Sequence, residues 1–158
     1  PFYKNNQLNE IIVNEIIQKR NNDNSFHLIF SAHGLPKKII TNGDTYQIQI
    51  QEHIELIKQK LKHKNIKFNS ISLAYQSKVG PMQWLEPSLD DALKQYKGKN
   101  VLIYPISFMC ENSETIFELS IEYKHIASKL EVNKYIVCSC PNDKDTTATM
   151  IKDMISYE

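Results

Sequence analysis

Nowhere in these 158 residues do about 20 apolar side chains follow one another, the length a helix needs to cross a bilayer. The opening stretch, PFYKNNQLNE, lacks the basic start and apolar middle of a secretion signal. It also starts at Pro1 without a Met, so the chain is expected to be a piece of a longer one. Arginine is nearly absent: Arg20 stands alone, and the formal net charge is +1. That balance argues against a strong general attraction to nucleic acid or acidic lipid. Basic residues are not interleaved with aromatics as a nucleic-acid face would require. With 4 glycines there is no G-x-G-x-x-G and no G-x-x-x-x-G-K-[ST], so the usual fingerprints of nucleotide binding are missing. No G-x-S-x-G nucleophile elbow occurs either. The 3 cysteines, Cys110, Cys138 and Cys140, form no C-x-x-C pair. An odd, small number suits reduced thiols in a cytosol-like compartment better than a disulfide framework or a structural zinc. Cys138 and Cys140 form a C-x-C, which reads either as a metal-ligand pair or as a buried small residue and its neighbour.

What is present is an ordinary globular composition, 41% hydrophobic, in a length that supports one domain with a real core. Short apolar runs alternate with amphipathic stretches. Residues 6–20 place Leu8, Ile11, Ile12, Val13 and Ile16 at helical spacing. Residues 27–33, HLIFSAH, read as a buried strand. Residues 44–63 read as a helix capped near Asp44, with Ile48, Ile50, Ile54, Ile57 and Leu61 inward. A strand over 67–75, a loop over 76–87 and a helix over 88–96 follow. NVLIYPISF holds a third strand ending near Pro105, KYIVCSC is a fourth, and 144–156 is a last helix. Between the last two strands, a helix capped at Asn112 or Ser113 runs to about Leu130. This order predicts an α/β fold: a four-stranded parallel sheet with helices on both faces and right-handed crossovers. In such sheets ligands meet the loops at the carboxyl ends of the strands, here those after Phe30, Tyr75 and Pro105.

Three stretches there carry residues suited to chemistry. His33, in SAHGLP, sits at the carboxyl end of the first strand. An imidazole there can ligate a divalent metal or move protons near neutral pH; a backbone-bonded loop histidine is the plainer reading. His27, His53, His63 and His125 read as surface positions. In CENSETIFELSIEY, Glu111, Glu114, Glu118 and Glu122 fall on one face of an α-helix. Such like-charge pairs carry a small cost where Glu–Lys pairs would help. The ladder is either a solvated acidic stripe or a path of carboxylates for protons or a cation. In QSKVGPMQW, Trp84 and Met82 can cover a flat aromatic ligand and Lys78 can pair with a carboxylate, unless Trp84 is a core anchor.

Taken together, SAHGLP (31–36), NGDTY (42–46), YQSKVGPMQWLEP (75–87) and PISFMCENSETIFELSIEY (105–123) resemble the ferrochelatases, lyases of haem biosynthesis that insert Fe(II) into protoporphyrin IX. Weaker similarity surrounds Pro141-Asn142. The resemblance covers most of the chain and matches the family's C-terminal half. It implies a single domain over 1–158, the chelatase-like lobe of a two-lobed enzyme whose N-terminal lobe is a missing partner. It implies that His33 and Glu114 handle the metal and the pyrrole protons across the macrocycle. Glu118 and Glu122 would continue an acidic relay, and Ser77, Lys78, Met82 and Trp84 would line the porphyrin pocket. Its substrates would be protoporphyrin IX and Fe(II), without nucleic acid and without a further cofactor. It would lie in the cytoplasm, touching the inner membrane peripherally through the other half. Asn112 stands where the family has a histidine, Ser120 where aspartate is common, Phe117 for a frequent tyrosine and Thr45 for the usual proline. The clustered cysteines that hold a [2Fe-2S] centre in some members are not in the pattern, so no such centre is expected. A chelatase for another metal or tetrapyrrole, or a porphyrin- or metal-binding module without turnover, remain the alternatives.

Overall fold

A computed structural model describes residues 1–156, so Tyr157 and Glu158 of the expected single domain lie outside the described residues. Four strands, β1 (Phe26–His33), β2 (Ser70–Gln76), β3 (Asn100–Pro105) and β4 (Lys134–Val137), form one sheet in the order β2-β1-β3-β4. Every neighbouring pair is parallel. Parallel strands need crossovers, and helices supply them. The helices are α1 (Asn6–Arg20), which precedes β1, α2 (Lys37–Thr41), α3 (Tyr46–His63), α4 (Leu89–Leu93), a π-helix (Glu114–Glu122) running into α5 (Tyr123–Lys129), and α6 (Asp145–Ile155), which follows β4.

The period-2 alternation of the central strands sends side chains to two cores. Leu28, Phe30 and Ala32 of β1, with Leu102 and Tyr104 of β3, pack against Ile12, Ile16, Ile54, Ile57 and Met150 of α1, α3 and α6. Ile29, Val101 and Ile103 face the other way, onto Leu89, Leu93, Leu119 and Tyr123. Helices therefore cover both faces, as the alternation of elements predicts.

Several local expectations hold with their mechanism visible. The Asn5 side chain accepts the Leu8 amide at the start of α1. The helix stops at Asn21, whose backbone is left-handed. Asp44 accepts the Tyr46 amide at 2.7 Å and so fixes the entry to α3. Ser88 caps α4, which tightens into a 3-10 turn at Lys94–Tyr96 instead of running as one helix.

Three expectations fail. Ile48 is exposed, because it lies two residues from Ile50 and residues so spaced point to different sides of a helix. His53 is buried, packed under α1 with its Nε2 2.8 Å from Asn9 Oδ1, and is not a surface residue. The fourth strand ends at Val137; Cys138 still donates its amide to Ile103, but Glu15 and Glu111 accept the Ser139 and Cys140 amides and turn the chain away.

Candidate active site at the carboxyl ends of the strands

β1 and β2 end side by side, with His33 opposite Gln76 in the parallel register. Just beyond, Gly34 donates its amide to the Gln76 carbonyl at 2.8 Å. A Cβ on Gly34 would stand 2.7 Å from that oxygen, so this crossing needs glycine. Leu35–Lys37 then runs antiparallel to Gln83–Leu85, which clasps the turn after His33 to the Trp84 loop. The peptide of His33 is held on both sides: its amide donates to Ser107 Oγ at 2.9 Å and its carbonyl accepts the Tyr46 hydroxyl at 2.9 Å. Burial raises the Tyr46 hydroxyl above its ordinary pKa, so it stays a donor.

With its backbone fixed, the His33 ring meets Glu114. Nδ1 lies 2.7 Å from Oε2, and the two side chains are 39% and 34% exposed, reachable by a ligand but sheltered. Toward an ionised carboxylate Nδ1 is the donor, and in a neutral ring that tautomer leaves the lone pair on Nε2. The contact leaves no room for a flat ring between the two groups, since each van der Waals contact alone takes about 3.5 Å. The two groups stand side by side on one wall of the site.

Glu118 joins the same network. Ser77 donates its amide to Glu118 Oε1 at 2.7 Å, and its Oγ lies 2.6 Å from Glu118 Oε2 and 3.0 Å from Glu114 Oε2. Ser77 reaches this place in a left-handed backbone (φ 64), unusual for a residue with a Cβ. The Gln76 amide donates to Glu118 Oε2 at 3.2 Å and to the Glu114 carbonyl at 3.3 Å. Its orientation is set by Ser31, whose hydroxyl donates to Gln76 Oε1 at 2.7 Å.

The acidic ladder is not an α-helical stripe. Glu114–Glu122 is π-helical, and the Ser120 hydroxyl follows the wider winding by donating to the Thr115 carbonyl five residues back. Asn112 caps it, accepting the Glu114 amide at 2.8 Å. Thr115 and Leu119 are the buried anchors, Glu114 and Glu118 are half-buried against the strand ends, and Ile116, Phe117 and Ile121 are exposed. Glu111 leaves the ladder to hold the Cys140 amide. Glu122 is exposed one step beyond Glu118.

Of the loop residues, Ser77 is in the network and Trp84 is half-buried, its ring edge 3.5 Å from where a Gly34 Cβ would stand. The Trp84 Nε1 is buried with no partner among the described residues. Lys78 and Met82 are exposed on the loop and take no part in the carboxylate network. Reading by residue type missed Ser31, Tyr46, Gln76 and Ser107; all four lie inside matched motifs, which was the available signal.

Two donors, His33 and Glu114, leave most of a divalent cation's coordination open, which suits passage better than residence. No group of three or more His, Cys, Asp or Glu side chains is placed to hold a metal among the described residues. Burial pushes the Cys140 thiol up to about 12 and raises Cys138 well above the usual range, so both stay protonated and read as structural. No helix among the described residues is long and apolar enough to cross a membrane.

The family model named Ferrochelatase matches residues 1–158. A protein named Ferrochelatase from Helicobacter acinonychis is 46% identical over 98% of this chain and 46% of its own length. One from Sulfurimonas denitrificans is 44% identical over 97% of this chain and 49% of its own. One from Campylobacter concisus is 47% identical over 96% and 48%. The chain thus spans about half the length of the curated relatives it matches. With a match along its whole length, the chain belongs to the ferrochelatase family.

Proposed function

We propose that this chain is the C-terminal lobe of a protohaem ferrochelatase and carries its metal-inserting centre. The reaction places Fe(II) in protoporphyrin IX and releases two protons. The observation that carries the reading is the direct contact of His33 with Glu114 at the carboxyl end of the sheet, within a network that already contains Glu118.

Because His33 and Glu114 touch, both act from the same side of the ring. The Nε2 lone pair of His33 faces the reacting centre and takes a pyrrole proton or a position on the incoming Fe(II). The Glu114 carboxylate holds Nδ1–H and stabilises the imidazolium that forms, through a short charge-assisted bond. Glu118 and then exposed Glu122 carry protons outward or metal inward, an order supported by their increasing access to solvent. Trp84, Met82 and Lys78 border the porphyrin on the loop side. The opposite wall comes from a second lobe, the N-terminal half of the relatives' length. Large apolar side chains left exposed on the site-bearing elements, Val79, Met82, Ile116 and Phe117, support such a covering partner. The reading includes no [2Fe-2S] centre and no nucleic acid. It places the protein in the cytoplasm, with peripheral membrane contact through the second lobe.

The test is metal insertion by the full-length protein. His33→Ala should lower the turnover number by more than about 100-fold with the fold intact. Circular dichroism checks the fold and porphyrin absorbance the turnover; retained turnover in the folded variant overturns the assignment. Glu118→Gln should slow turnover more than it weakens porphyrin binding, and a change confined to binding would remove the relay role.

A further inference from the structure

Glu114 and Glu118 stand four residues apart on the π-helix, and both carboxylates turn toward Ser77. Direct proton transfer needs roughly 2.6–3.2 Å between heavy atoms. Ser77 Oγ lies within that range of both, 3.0 Å from Glu114 Oε2 and 2.6 Å from Glu118 Oε2. Glu118 is pinned against it by the Ser77 amide on Oε1 and the Gln76 amide on Oε2. Gln76 is fixed in turn by Ser31, and both are fully buried. The hydroxyl is thus lodged between two oriented carboxyl groups by a left-handed backbone that serine rarely adopts.

We propose that the Ser77 hydroxyl is the proton bridge from Glu114 to Glu118, a step that rests on the metal-insertion reading above. A hydroxyl has one hydrogen and two lone pairs. At rest its one hydrogen is shared between the two carboxylates and lies mainly toward Glu118 across the shorter contact. When Glu114 Oε2 receives a proton from the His33 side, its new O–H donates to Ser77 Oγ. That proton moves onto Oγ as the Ser77 hydrogen moves to Glu118 Oε2. One O–H bond breaks and one forms at Oγ, so serine is neutral before and after and no alkoxide appears. Once Glu118 has released its proton towards Glu122, rotation about Cβ–Oγ restores the starting state. Ser77 is then a member of the relay and not only a wall of the porphyrin pocket.

Ser77→Gly removes the hydroxyl at a backbone angle glycine adopts freely, so the loop should keep its shape. In the full-length protein, S77G should lower the turnover number for metal insertion by about 100-fold. The porphyrin KM should stay within about twofold, and the solvent isotope effect should grow as proton transfer becomes limiting. The decisive comparison is with E118Q. If Ser77 acts only by delivering to Glu118, the S77G/E118Q double variant is no slower than E118Q alone, whereas independent structural roles multiply. S77G turning over at the wild-type rate, or full multiplication of the two losses, overturns the bridge. A full-length wild-type protein that inserts no metal instead overturns the function reading and the relay with it, so the two failures are distinct.

Discussion

His33 owes its position to groups that touch its backbone rather than its ring. The Tyr46 hydroxyl and Ser107 Oγ hold the two polar atoms of its peptide, and Gly34 lets β2 pass within hydrogen-bond reach. A change at these positions should therefore act through His33. Tyr46→Phe removes one hydrogen bond to a carbonyl and should cost about 1 kcal/mol of stability, measured by urea unfolding. It should also lower turnover without shifting porphyrin KM. Gly34→Ala forces a Cβ to 2.7 Å from a backbone oxygen that cannot swing aside. We expect a loss of about 1–3 kcal/mol, with a fall in activity at temperatures where the variant is still folded.

Among the elements, the π-helix decides which glutamates share one hydrogen-bond network. Its winding puts Glu114 and Glu118 beside Ser77, sends Glu122 to the surface, and leaves Glu111 to close the loop after β4. Packing holds this uncommon winding in place, chiefly at Leu119, which is 0% exposed and lies against the second core. Leu119→Ala should cost about 2–5 kcal/mol by the cavity it opens. The same variant should loosen the Ser77–Glu118 contacts before global unfolding, read as faster amide exchange at Ser77. Exchange at Ser77 unchanged while stability falls would separate the helix anchor from the site.

For the molecule as a whole, two cores on one parallel sheet leave the carboxyl ends of the strands open. The charged network gathers there. The first core also encloses a titratable group: burial lowers the His53 pKa from 6.5 to about 4. The unfolded chain therefore binds a proton below pH 6.5 that the folded protein refuses until about pH 4. Stability is fully present above pH 6.5 and falls as pH drops through that window. The loss from this one residue is up to about 3 kcal/mol. His53→Gln, which keeps a hydrogen bond to Asn9 within reach, should flatten the pH dependence of the unfolding free energy between pH 6.5 and 4. An unchanged slope would assign it to other groups.

Sequence alone determined the fold class, because strand and helix periods alternate in an order that only parallel pairing with crossover helices satisfies. It also marked His33, Glu114 and Glu118, through motifs whose residue types carry chemistry and whose family is identifiable. The winding of the acidic helix was not legible, since Glu114, Glu118 and Glu122 fit an α-helical ladder equally well. Nor was the burial of His53, which depends on α1 closing over α3. The third omission was the support given by Ser31, Tyr46, Gln76 and Ser107, which are ordinary polar residues until distant segments meet. Tertiary structure decided these points because each is a contact between residues far apart in the chain. Local spacing shows where a side chain points on its own element, whereas its partner is set by how the elements pack.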